Sequence, residues 1–100
     1  MTTQDARVEN VDEFRLLLFV SGATPRSLRA VATVRKLCEI NLAGRYQLKV
    51  VDVFRDPRAA REFQIVALPT LLKLTPKPKR LFVGDMSDAQ PLAAGLGLSA

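Results

Sequence analysis

Apolar and polar positions alternate between two periods along this chain. Phe14 to Val20 (FRLLLFV) is nearly continuous in apolar residues, as expected of a central strand covered on both faces. Thr24-Pro25 follows. A threonine hydroxyl can cap a helix, and proline at the first helical position gives up no needed hydrogen bond. The period then changes to that of a helix, from Pro25 to about Leu42. Leu28, Val31, Val34 and Cys38 fall on one side, Leu37 broadens the stripe, and Gly44 supplies a stop. Tyr46 to Val53 (YQLKVVDV) is rich in β-branched residues and predicts a second strand. A strand, a long helix and a strand form a βαβ unit, so the two strands are expected to be parallel.

Asp56-Pro57 repeats the helix-start pattern and predicts a short charged helix to about Gln64. After Val66 to Pro69, the run Thr70 to Thr75 predicts a third strand, ended by Pro76 and Pro78. Arg80 to Val83 predicts a fourth. Gly84-Asp85 turns the chain, and Ser87 with Gln90 fits a capping box for a last helix to about Leu96. The order β-α-β-α-β-β-α predicts a single α/β domain of thioredoxin-like arrangement over residues 14–98, preceded by a mobile arm, residues 1–13. In such folds a cis-proline opens the third strand opposite the first helix, and Pro69 holds that place.

Composition narrows the chemistry. The chain has 100 residues, one cysteine and no histidine. An internal disulfide is impossible, and the usual metal ligand and general base are both missing. With no long apolar run and no apolar leader, the expected setting is a reducing cytoplasm without a membrane span. Thiol redox chemistry needs a cysteine at the start of the first helix, where backbone N–H groups stabilise a thiolate. That place reads Ser21-Gly22-Ala23-Thr24-Pro25. Cys38 lies about four turns further along and reads as a core residue. Gly22 stands alone in the junction, so no phosphate loop is formed, and Arg26 and Arg29 read as a solvated first turn. Asp56 and Asp88 read as helix starts and Asp85 as a turn residue. These exclusions point to a protein without catalytic, cofactor or metal site.

The net charge is +5, distributed unevenly. Residues 1–13 carry −3 (Arg7 against Asp5, Glu9, Asp12 and Glu13), which leaves +8 on the body. A basic body can meet nucleic acid or an acidic protein surface. Lys77, Lys79 and Arg80 lie near Phe82, but aromatic residues are only 6% of the chain, too few for a stacking platform. A binding protein on a thioredoxin-like frame is what remains.

Five segments, in order, carry a resemblance. They are Leu18-Phe19-Val20-Ser21-Gly22 with Thr24-Pro25, Ser27 and Arg29-Ala30; Tyr46 with Leu48 to Val53; Asp56-Pro57 with Ala60; Ile65 to Leu71; and Gly84 to Asp88. Together they resemble the KaiB family of circadian clock proteins, over about residues 15 to 98. The resemblance implies a non-enzymatic adaptor that binds a KaiC-type hexameric ATPase and kinase and modulates its phosphorylation cycle, with a SasA-like histidine kinase as a further partner. It also implies a second fold that keeps the first βαβ half, rearranges the chain from about Phe54, and self-associates into dimers or tetramers.

The ring contact implied lies at Pro57, Ala60, Ile65 and Ala67, with Arg61, Glu62 and Gln64 in the same segment. Arg61 reverses a family charge, because the family pattern there is acidic-acidic-x-Lys. Further partners are implied at Arg29 and Lys49. The alternatives are a SasA-like sensory module, a thioredoxin-like redox enzyme, and a nucleic-acid binder.

Overall fold

A computed structural model describes residues 13–98. Its elements are β1 (Phe14–Val20), α1 (Pro25–Leu42), β2 (Tyr46–Asp52), α2 (Pro57–Glu62), β3 (Thr70–Thr75), β4 (Arg80–Val83) and α3 (Ala89–Leu96). The sheet order is β2-β1-β3-β4. β1 runs parallel to β2, from Phe14 opposite Tyr46 to Val20 opposite Asp52. β3 is antiparallel to β1, and β4 is antiparallel to β3. The expected α/β order and its thioredoxin-like topology are both present.

β1 is central because both its faces are apolar. Leu18 and Phe19 are neighbours, each 0% exposed, and strand alternation sends them to opposite sides. Phe14, Leu16, Leu18 and Val20 face α1 and α3, where they meet Val34, Leu37, Cys38, Leu92 and Leu96. Phe19 faces the other way, onto Val51 and Leu72, with Ala59, Phe63, Ile65 and Leu68 packed over them. The first side is closed by helices of eighteen and eight residues. The second is closed by a helix of six residues and the loop behind it.

Three details differ from the sequence expectation. Leu28 is exposed, because the buried stripe of α1 is Ser27, Ala30, Val34, Leu37, Cys38 and Leu42. Leu28 lies a further ~100° around the helix from Ser27 and falls outside it, while Val31 sits at its margin. The last helix is capped by Asp88, whose carboxylate accepts the Gln90 N–H at 3.0 Å. Ser87 lies one residue before the cap, with its own N–H donating to the Asp85 carboxylate at 3.0 Å. Pro76 and Pro78 follow cis peptide bonds, which nothing in the sequence singled out; the Leu68-Pro69 bond is cis as expected. The proposed mobile arm falls mainly on residues 1–12, outside the described residues. Its last member, Glu13, accepts the Thr75 hydroxyl through its backbone carbonyl at 2.8 Å.

Candidate functional site: an open rim at the strand ends

The junction after β1 is closed on itself. Thr24 caps α1, its hydroxyl oxygen accepting the Ser27 N–H at 3.2 Å. The Thr24 hydroxyl donates to Ser27 Oγ at 2.9 Å, and the Ser21 N–H donates to the same oxygen at 3.2 Å. Gly22 turns the chain with φ of +66°, a conformation that favours glycine. Its N–H is held by Asp52 at 3.2 Å. Asp52 also accepts the Phe54 N–H at 2.9 Å, so one carboxylate ties the ends of β1 and β2 together. Hydroxyls and a carboxylate thus satisfy the donors that a reactive thiolate would use in a redox member of this fold. Cys38 is buried in the core, and that burial raises its thiol pKa to about 11, far from nucleophilic at neutral pH.

The chain from Asp52 to Thr70 builds the rim beside this junction. Asp56 caps α2 by accepting the Ala59 N–H at 3.3 Å. The helix ends after Glu62, where Phe63 and Ile65 donate back to the carbonyls of Ala59 and Ala60. Gln64 takes φ of +57°, which turns the chain inward again. Phe63 then meets Phe19 at 6.1 Å between ring centroids, a tilted aromatic pair. The Thr70 hydroxyl donates to the Ala67 carbonyl at 2.6 Å, and the Gly84 N–H to that of Pro69 at 3.2 Å. Both ends of the loop are therefore fixed.

The expected contact residues separate into three places. Pro57, Arg61, Glu62 and Gln64 are exposed, and Ala60 and Ala67 are half-buried beside them. Ile65 belongs to the same segment but packs inward, against the cluster around Phe19. Lys49 is exposed on edge strand β2, in alternation with Val51 and so on the α2 side of the sheet. Arg29 is exposed on α1, across the sheet from α2. The α2 segment and Lys49 therefore share a side, and Arg29 does not.

Four further residues belong to the rim and were missed. Phe54 is 75% exposed and Val66 is 96% exposed, on either side of α2. Leu81 and Val83 on β4 are 51% and 60% exposed. The signal for the last two lies in the alternation of Arg80-Leu81-Phe82-Val83. Phe82 packs into the α1–α3 core, so its neighbours must point to the other side. Phe54 and Val66 stand in loops, where no period marks them.

Comparison with known proteins places this geometry. The KaiB domain profile matches residues 17–98. The "Circadian clock oscillator protein KaiB" of Synechococcus elongatus is 45% identical over 83 residues, covering 83% of this chain and 81% of that protein. Among solved structures, the N-terminal domain of Synechococcus elongatus SasA superposes with a TM-score of 0.69 at 26% identity, over 85% of this chain and 80% of that one. Chloroplastic thioredoxin z superposes with a TM-score of 0.73 at 18% identity, over 97% and 88% respectively, a likeness of fold alone. The chain belongs to the KaiB family, and that membership supports a clock-related role.

Proposed function

We propose that this chain is a non-enzymatic cytoplasmic adaptor that docks on a KaiC-type ATPase ring and modulates its phosphorylation cycle. Docking uses the rim from Pro57 to Ala67, with Ile65 as the internal anchor of that segment. The observation that carries the proposal is the exposure of Phe54 and Val66 on either side of α2, in a chain of this family. Four of the six large exposed apolar side chains among the described residues, Phe54, Val66, Leu81 and Val83, lie on α2-flanking loops and β4, and apolar groups gathered in this way support a surface for another protein. The self-satisfied junction at Ser21 to Ser27 supports an adaptor over a thioredoxin-like enzyme. Among the described residues no helix is long and apolar enough to cross a membrane.

A SasA-like histidine kinase belongs to the same proposal as a further partner; the N-terminal domain of Synechococcus elongatus SasA is similar in fold to this chain. A second packing of the chain from about Phe54, with self-association, belongs to the same proposal. The smaller cluster around Phe19 is the one it would dismantle.

Size-exclusion chromatography with light scattering tests the proposal, using the chain alone and with the KaiC-type ATPase of the same organism in ATP. Co-elution with the ring is expected, with slow onset if repacking precedes binding. Separate elution in both ATP and ADP would refute it.

A further inference from the structure

The α2 side of the sheet is covered only in part. Phe19, Val51 and Leu72 lie beneath α2 and its following loop. Towards β4 the same face runs out into solvent. Leu81 pairs with Leu72, and Val83 with Thr70, so both stand on this side. A hollow of about 390 Å³ separates Glu62 and Gln64 from Lys79 and Leu81, with Leu72 in its lining. A second, of about 240 Å³, lies between Arg15, Leu17, Lys49 and Leu74. Lys79 and Arg80 line the first hollow, Arg15 and Lys49 line the second, and Arg58 and Arg61 are exposed on α2, the helix that covers this side.

The acids on this side do little to balance them. Asp52 is engaged by the N–H groups of Gly22 and Phe54, and Asp56 by that of Ala59. Glu62 remains. Among the described residues the one ion pair is Arg55 with Asp52 at 4.0 Å, so Arg58 and Arg61 have no carboxylate partner among those residues.

From this arrangement we infer that the surface accepted here is an acidic protein surface with an aliphatic centre. Its carboxylates meet Arg58 and Arg61, and its apolar side chains settle on Leu81 and Val83. The inference rests on the adaptor proposal above and adds the chemistry of the counterface. Guanidinium groups suit paired recognition of carboxylates, and charge complementarity fixes which partner docks. A second copy fits poorly, because a two-fold contact brings the same cations face to face. Nucleic acid fits less well, because Leu81 and Val83, the exposed apolar side chains beside the first hollow, are aliphatic, and the one aromatic in its lining, Phe63, is half-buried against Phe19.

The test uses two probes. The first is a synthetic peptide with glutamates around a leucine pair, titrated into the ¹⁵N-labelled chain. The second is the KaiC-type ring of the same organism. The peptide is expected to shift the amides of Arg58, Arg61, Leu81 and Val83 and to leave those of Arg26 and Arg29 in place. Its lysine-substituted counterpart shifts none. Arg58→Glu with Arg61→Glu is expected to weaken both peptide and ring by roughly tenfold or more at low salt, an effect that fades as salt is raised. Both arginines are exposed, and an unchanged melting temperature confirms that the double variant is folded.

Equal shifts on both sides of the sheet, or affinities indifferent to the double reversal, would overturn the inference. So would a U-rich RNA that displaces the peptide from the same residues. Peptide binding at this face without ring binding would uphold the inference and remove the adaptor proposal. Ring binding that ignores the reversal would do the opposite.

Discussion

The two sides of the sheet divide the work of the molecule. Beneath α1 and α3, β1 and β3 are sealed by a continuous apolar cluster running from Phe14 to Leu96. Beneath α2 a small cluster around Phe19 is sealed, and the rest of that side stays open towards Leu81 and Val83. Both sides share one sheet, so the rigidity of the first fixes the geometry of the second. The difference teaches that apolar residues on this chain have two destinations. Those facing the sheet from the α1 side hold the fold, with Leu28 and Ile40 on the outer surface of α1; those at the margin of the α2 side are the ones the proposal assigns to a partner.

Substitution separates the two most clearly at Leu18 and Leu81. Leu18→Ala should cost roughly 2–5 kcal/mol in chemical denaturation, because the site is fully buried and close-packed. A cost below about 1 kcal/mol would mean that the α1 side is not the dominant core. Phe63→Ala should cost less, roughly 2 kcal/mol, since the ring is half-buried against Phe19. It should loosen α2 selectively, which amide exchange at Ala59 to Ile65 would show. Gly95→Ala should cost about 1–3 kcal/mol, since a methyl group there would lie 2.3 Å from the Phe82 ring in the direction of α3. A neutral result would show that the β4–α3 contact yields easily.

Cys38 gives a pH test of the sealed side. Its pKa is raised to about 11 by burial in the folded chain, against the ordinary 9.0. The folded state therefore favours the protonated thiol. That stability is fully present below pH 9 and is lost as pH rises towards 11. Cys38→Ala should show a shallower fall of melting temperature over that interval than the parent chain. Parallel falls would mean that the thiol is accessible. The smallest effect belongs to the open side. Leu81→Ser should change stability by no more than about 0.5 kcal/mol while weakening partner binding, as titration calorimetry with the ring would report.

Much of this architecture is legible in local pattern. Residues Phe14–Val20, Pro25–Leu42, Thr70–Thr75 and Arg80–Val83 are bounded by caps, prolines and glycines whose preferences are intrinsic. What local pattern misses is phase and sidedness. Leu28 joins the apolar period of α1, yet the buried stripe is set by contact with β1 and α3, which no local window contains. Ser87 satisfies a capping pattern, but the helix begins one residue later, with the Asp88 carboxylate accepting the Gln90 N–H. At the rim, the segment from Pro57 to Ala67 stands out in sequence by its motif. Its separation from Arg29 does not, because that depends on which side of the sheet each helix covers. Leu81 and Val83 become readable once Phe82 is known to face α3.

The central claim is that the α2 side, and not the α1 side, meets the ring. Hydrogen–deuterium exchange on the complex with the KaiC-type ATPase in ATP tests it most directly. Slowed exchange is predicted across Phe54 to Leu68 and Arg80 to Val83, with Arg26 to Leu42 unchanged. Protection concentrated on α1, or none on the α2 side in a complex that demonstrably co-elutes, would contradict it.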